Sequence, residues 1–139
     1  MIIISGGISL YWHYNQVHAL DEQIQSVPFY NITVNTAYNM ITNGSFPNLI
    51  ILDVRTVNEY YTNHLHNAIL IPHDELETRL DELEGFENHE IIVYCGIGYR
   101  SEIACEILVQ NNFKKVYNML GGISDWMDVE YPHYTCGCG

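Results

Sequence analysis

Cys95 follows the apolar run Ile91-Ile92-Val93-Tyr94 and precedes Gly96-Ile97-Gly98-Tyr99-Arg100-Ser101. A cysteine is a nucleophile as its thiolate, so surroundings that favour negative charge make it reactive. Three features here favour negative charge. The two glycines permit backbone angles that other residues resist, so successive N–H groups can turn toward one atom as an anion nest. A helix after the loop adds its positive N-terminal end. Arg100 adds a charge that does not titrate near neutral pH. The same three terms would hold the anionic terminal sulfur of a persulfide. The segment therefore points to sulfur chemistry at Cys95, against the plainer reading of a buried, inert thiol.

The elements around the loop must place it. Leu49 to Leu52 is an apolar run ending at Asp53, and Ile91 to Tyr94 ends at Cys95. Such runs suit strands covered on both faces. Ala68 to Ile71 reads as a short strand stopped by Pro72, and Val116-Tyr117 as another. Between the strands lie helix signals. Val34, Ala37, Tyr38 and Ile41 share one face, with Thr33 as N-cap and Gly44 as stop. Thr56 and Glu59 form a capping-box pattern. A helix is expected over Asp74 to Leu83, with Leu76, Leu80 and Leu83 on one face. Another should bury Ile103, Ala104, Ile107 and Leu108, and Gly121-Gly122 opens a last one carrying Trp126. Alternating strands and helices predict an α/β fold with a mainly parallel sheet and helices on both faces. Ligands in such sheets sit beyond the carboxyl ends of strands, where Cys95 lies.

Composition narrows the partners. The chain has 139 residues, with 17 acids against 5 bases and a net charge of −12. One domain fits this length. An acidic chain repels a phosphate backbone, so no nucleic-acid partner is expected. Of the four cysteines, none forms a CxxC pair, so neither a metal nor a disulfide framework is expected. Met1 to Leu10 is mostly apolar but too short to span a bilayer and lacks a basic leader. Residues 1–25 stand as an extension with two readings: a docking segment or extra strand, or the edge of a membrane anchor or export signal. Location stays open, with the cytoplasm favoured over anchoring or export. The tail 133–139 carries His133, Cys136 and Cys138, read as a flexible end rather than a soft-metal or redox pair.

Beyond the loop, Leu52-Asp53-Val54-Arg55 with Glu59-Tyr60, Asn63-His64 with Asn67-Ala68 and Ile71-Pro72, and Tyr117-Asn118 with Gly121-Gly122 and Trp126 resemble, in order, the motifs of the rhodanese-like family. The resemblance covers roughly residues 30 to 132, within a domain placed at 26–132. It implies a rhodanese-like, five-stranded parallel sheet and a single-domain sulfurtransferase without a cofactor. By it, Cys95 takes a sulfane sulfur from thiosulfate or a persulfide and passes it to cyanide or a thiol, including a protein thiol. Backbone N–H groups from Gly96, Ile97, Gly98 and Tyr99 to Arg100 would cradle the sulfur, and Arg100 would orient an anionic donor. Asp53 and Arg55 would be structural, Arg55 pairing with carboxylates such as Glu59, and His64 would bond to backbone. Cys105 reads as core. Asn63, Asn67 and His66 depart from residues common in the family and put local turn geometry in question. Gly96 replaces a basic residue found in many thiosulfate users, so a persulfide is at least as good a donor candidate.

Two other readings remain at this point. A cysteine phosphatase or arsenate reductase also holds a thiolate before a helix, but commonly with five residues between cysteine and arginine, where four stand here. A non-catalytic rhodanese-like binding or regulatory module is the other, although such modules often lose the cysteine.

Overall fold

The fold is built on apolar strand runs that end at one edge. A computed structural model describes residues 28–135. Five strands form one parallel sheet: β1 (Tyr30–Ile32), β2 (Ile50–Asp53), β4 (Ile69–Leu70), β5 (Glu90–Tyr94) and β6 (Lys115–Met119), in the order β1-β6-β5-β2-β4. The central strand β5 pairs with β2 through Asp53↔Tyr94 and with β6 through Val93↔Asn118. Backbone bonds continue past the strand ends, with Val54 N–H donating to Tyr94 O and Ile71 N–H to Asp53 O, each at 3.0 Å.

Alternation along β5 divides the core in two. Ile91, Val93 and Cys95 join Leu52, Ala104, Leu108 and Val116 on one face. Ile92 and Tyr94 join Ala37, Leu65, Met119 and Trp126 on the other. The first face is covered by α3 (Tyr99–Gln110), the second by α1 (Val34–Thr42) and α4 (Gly122–Asp128). Helix α2 (Val57–Thr62) follows β2. Thr33 caps α1 by accepting from Thr36 N–H, and Thr56 and Glu59 complete a reciprocal capping box on α2, as expected from sequence.

Three expectations are corrected. Asp74 to Leu83 is two 3-10 turns, Leu76–Thr78 and Leu80–Leu83, rather than an α-helix. Neither turn has a side-chain cap, and Arg79, which stands between them, is held by Glu75 and Glu82 on its two sides. The buried face of α3 is Ser101, Ala104, Cys105 and Leu108, while Ile103 is exposed and Ile107 only partly buried. Ser101 is drawn inward by polar partners, and this sets the helix's rotation. The tail also contributes structure: β7 (Tyr134–Thr135) pairs antiparallel with β3 (Asn63–His64). The readings of residues 1–25 and of Cys136 and Cys138 lie outside the described residues. Among the described residues, no helix is long and apolar enough to cross a membrane.

Candidate active site

Cys95 leaves β5 into a loop whose carbonyls are held from behind. The N–H of Ile123 donates to Cys95 O at 2.9 Å, and that of Ser124 to Gly96 O at 3.1 Å. A trans peptide points its N–H opposite its carbonyl. Turning these two carbonyls toward α4 therefore turns the N–H groups of Gly96 and Ile97 the other way. The close approach depends on Gly122. A Cβ there would lie 2.4 Å from Cys95 O and 2.6 Å from Gly96 C, and its φ is +58°. Gly98 closes the turn with φ +105°, a region side-chain-bearing residues rarely adopt.

The sulfur sits inside this turn. The Gly98 N–H donates to Cys95 Sγ at 3.1 Å, and Ser101 Oγ lies 3.5 Å from it. Ser101 Oγ also lies 2.7 Å from Asn118 Oδ1 and 3.0 Å from Gly98 O. Asn118 in turn donates through Nδ2 to Asn31 Oδ1 at 3.0 Å. A hydroxyl has one proton, so Ser101 serves one of its three acceptors at a time. Burial is the largest influence on the Cys95 thiol and pushes its pKa up. Hydrogen bonds from the Ser101 hydroxyl and from the N–H groups of Ser101, Gly98 and Ile97 outweigh it, and the thiol lies below its ordinary value. Cys105 is the contrast: burial pushes its thiol up, with nearby carboxylates adding to the effect.

Arg100 stands over the loop in a bidentate pair with Glu59, Nη1 to Oε2 at 2.8 Å and Nη2 to Oε1 at 2.7 Å. The Arg100 hydrogen bond holds the Glu59 carboxyl down at about 2, with burial opposing it and Thr56 assisting. This corrects the expected Arg55–Glu59 pairing. Arg55 instead binds Asp53, with Nη2 to Oδ2 at 2.7 Å, and reaches Asn63 O at 2.6 Å. Asp53 is buried at the end of β2, directly in register with Tyr94, and Arg55 two residues on is the near cation. The Tyr94 hydroxyl donates to Asp53 Oδ2 at 2.6 Å and accepts from Leu65 N–H at 3.1 Å. This buried network ties the residue before Cys95 to β2 and the segment leading to β4.

The remaining sequence candidates fall into place around these. His64 Nδ1 lies 2.9 Å from Tyr60 O, and its ring stacks on Tyr60 at 3.9 Å. Asn63 anchors Arg55, and Asn67 takes φ +59°, which asparagine tolerates better than most residues. Ile97 and Tyr99 point their side chains outward, 75% and 68% exposed, and of the two it is the Ile97 N–H that acts on the Cys95 sulfur. Sequence reasoning missed Ser101 and Asn118. The only signal was Asn118 between Tyr117 and Met119 in a short strand; Ser101, between Arg100 and Glu102, gave none.

The rhodanese-like domain model matches residues 33–128. The putative sulfur carrier protein YrkF of Bacillus subtilis (strain 168) is 44% identical over 78 residues, 56% of this chain and 41% of that protein. The tRNA uridine(34) hydroxylase of Yersinia pestis (strain Pestoides F) is 34% identical over 84 residues, 58% of this chain and 24% of that protein. The matched region is thus less than half of either relative. The crystal structure of a rhodanese-related protein from Thermoplasma volcanium is 30% identical with a TM-score of 0.66, covering 76% of this chain and 97% of that one. The crystal structure of a rhodanese-like domain protein from Staphylococcus aureus is 29% identical with a TM-score of 0.63, covering 70% and 90%. The matched span takes in the Cys95 loop, the Glu59–Arg100 pair and the strands behind both, and the chain belongs to the rhodanese-like domain family.

Proposed function

We propose that this protein is a sulfurtransferase that carries sulfane sulfur on Cys95. One observation carries the reading: Sγ lies in a turn where an N–H at 3.1 Å and a hydroxyl at 3.5 Å face it, in surroundings that favour the anion. Membership of the family and similarity to a protein named as a sulfur carrier support it.

In the first half-reaction the Cys95 thiolate attacks the sulfane sulfur of the donor. A Cys95 S–S bond forms as the donor's S–S bond breaks. Thiosulfate leaves sulfite, and a protonated persulfide leaves a thiolate. In the second half, cyanide or a thiol attacks the outer sulfur and the Cys95 thiolate leaves. Sulfur moves without an external oxidant or reductant, and charge balances in each half. Splitting one transfer into two displacements is covalent catalysis with ping-pong kinetics. The turn suits both states, since the N–H groups of Ile97, Gly98 and Ser101 that favour the thiolate also face an anionic persulfide. Cys95 is only 1% exposed, which admits a slender sulfur terminus better than a bulky group. The exposed Ile97 and Tyr99 beside it suit an acceptor thiol on a protein surface.

Steady-state kinetics test this. Donor and acceptor varied against each other should give parallel double-reciprocal lines, and Cys95→Ser should abolish turnover. Intersecting lines, or turnover retained in Cys95→Ser, would overturn the covalent route.

A further inference from the structure

Arg100 is the one cation of the Cys95 loop, and Glu59 already occupies it. The pair is bidentate, so one edge of the guanidinium, two of its five N–H donors, is held by Glu59 in one geometry. Gly96 is part of the arrangement, because a Cβ there would come within 3.2 Å of Arg100 Nη2. The guanidinium thus lies against the loop backbone, and its charge is felt at Cys95. A carboxylate stands directly behind that charge. The side chains are 28% and 38% exposed, so a donor approaching from solvent meets both. Of the other four cations, three are committed elsewhere, Arg55 to Asp53, Arg79 to Glu75 and Glu82, and Lys115 to Glu90, while Lys114 precedes β6 at the end of the sheet opposite the Cys95 loop. With Cys95 ionised, the mouth holds two negative groups and one positive.

We propose that Glu59 is a specificity-determining residue that biases Cys95 toward sulfur donors with one negative charge or none, and against dianionic thiosulfate. The inference rests on the sulfurtransferase reading above. Each added negative charge on the donor meets a site whose cation has been neutralised by its neighbour. Protonated persulfides and monoanionic thiosulfonates are the favoured class. With a thiosulfonate, the Cys95 thiolate takes the terminal sulfur, the S–S bond breaks, and a sulfinate leaves with its electron pair.

Thiosulfate and methanethiosulfonate differ by one charge and present the same kind of sulfane sulfur. Their kcat/KM values, with cyanide as acceptor, give a ratio that reports charge selection. Glu59→Gln removes the charge and keeps a residue able to complete the capping box with Thr56. The ratio should shift toward thiosulfate by roughly three- to tenfold, the size of one partly screened charge near the reacting sulfur. The shift should shrink at high salt. In the wild-type protein the net charge of −12 already makes added salt favour the dianion, so the test is the ratio in Glu59→Gln against wild type at matched low salt. A ratio in Glu59→Gln equal to that of wild type at matched low salt would overturn the proposal, even if both rates fell together. If Glu59→Gln does not fold, Glu59→Ala is read in the same way. Failure of either donor to load Cys95 at all would instead overturn the sulfurtransferase reading, and this inference with it.

Discussion

Replacing Ser101 with alanine isolates what the buried hydroxyl does. Ser101 Oγ is 3.5 Å from Cys95 Sγ and 2.7 Å from Asn118 Oδ1, with the residue fully buried. A hydrogen bond to a charged group is worth about 1.5–3 kcal/mol. The long sulfur contact argues for the lower end, about 1.5 kcal/mol, which is about one pKa unit. The Cys95 thiol should therefore rise by about one unit in Ser101→Ala. The sign of the stability effect follows from linkage. A thiol lowered by folding adds stability above its unfolded pKa, and that stability is lost as pH falls through its folded value. Ser101→Ala should lose part of this; where the thiol is neutral the single proton is free for Asn118 Oδ1, and the variant then leaves that oxygen buried without its donor, costing about 1–3 kcal/mol. The assay is the pH dependence of alkylation at Cys95, read on its own peptide by mass spectrometry so that other cysteines do not contribute. An unchanged midpoint in a folded Ser101→Ala protein would refute the hydroxyl's role at the sulfur.

Other outcomes follow from the same geometry. Gly122→Ala forces a Cβ to 2.4 Å from Cys95 O at a positive φ, so it should cost several kcal/mol; a near-native melting temperature with full activity would contradict the packing described. Arg55→Met leaves Asp53 buried and uncompensated, which should destabilise by about 3–5 kcal/mol in denaturant titrations. Glu59 should titrate at about 2 by carbon NMR. The stability its pair adds is then present above the ordinary carboxylate range and lost only as pH falls through that value, and Arg100→Ala should return the carboxyl toward its usual range.

How much of this was legible in the sequence differs by element. Strands β2 and β5 were visible because continuous apolar runs ending at Asp53 and Cys95 leave little else to choose. The Thr56–Glu59 capping box was visible because its partners are three residues apart. Strand β1 was not, since Tyr30-Asn31-Ile32 is short and gains its identity only from pairing with β6. The rotation of α3 was misread because its apolar residues suggested Ile103 inward, while the contacts of Ser101 with Gly98, Cys95 and Asn118 decide the face. In the site, the loop itself was readable from residue types. Its supports were not. Arg100 and Glu59 are 41 positions apart, and Ser101 and Asn118 are 17 apart. Only sheet register brings such residues together. The family resemblance implied a pairing of Arg55 with carboxylates such as Glu59, but its nearer carboxylate, Asp53, is buried at the end of the strand just before it and holds it.

The central claim is that Cys95 carries the sulfur. Intact-mass analysis after treatment with thiosulfate, a thiosulfonate and a low-molecular-weight persulfide tests it most directly. The wild-type protein should gain one sulfur from at least one donor, lose it on adding cyanide, and gain none at this position in Cys95→Ala. No added sulfur from any of the three donors, or an adduct that survives unchanged in Cys95→Ala, would contradict the account.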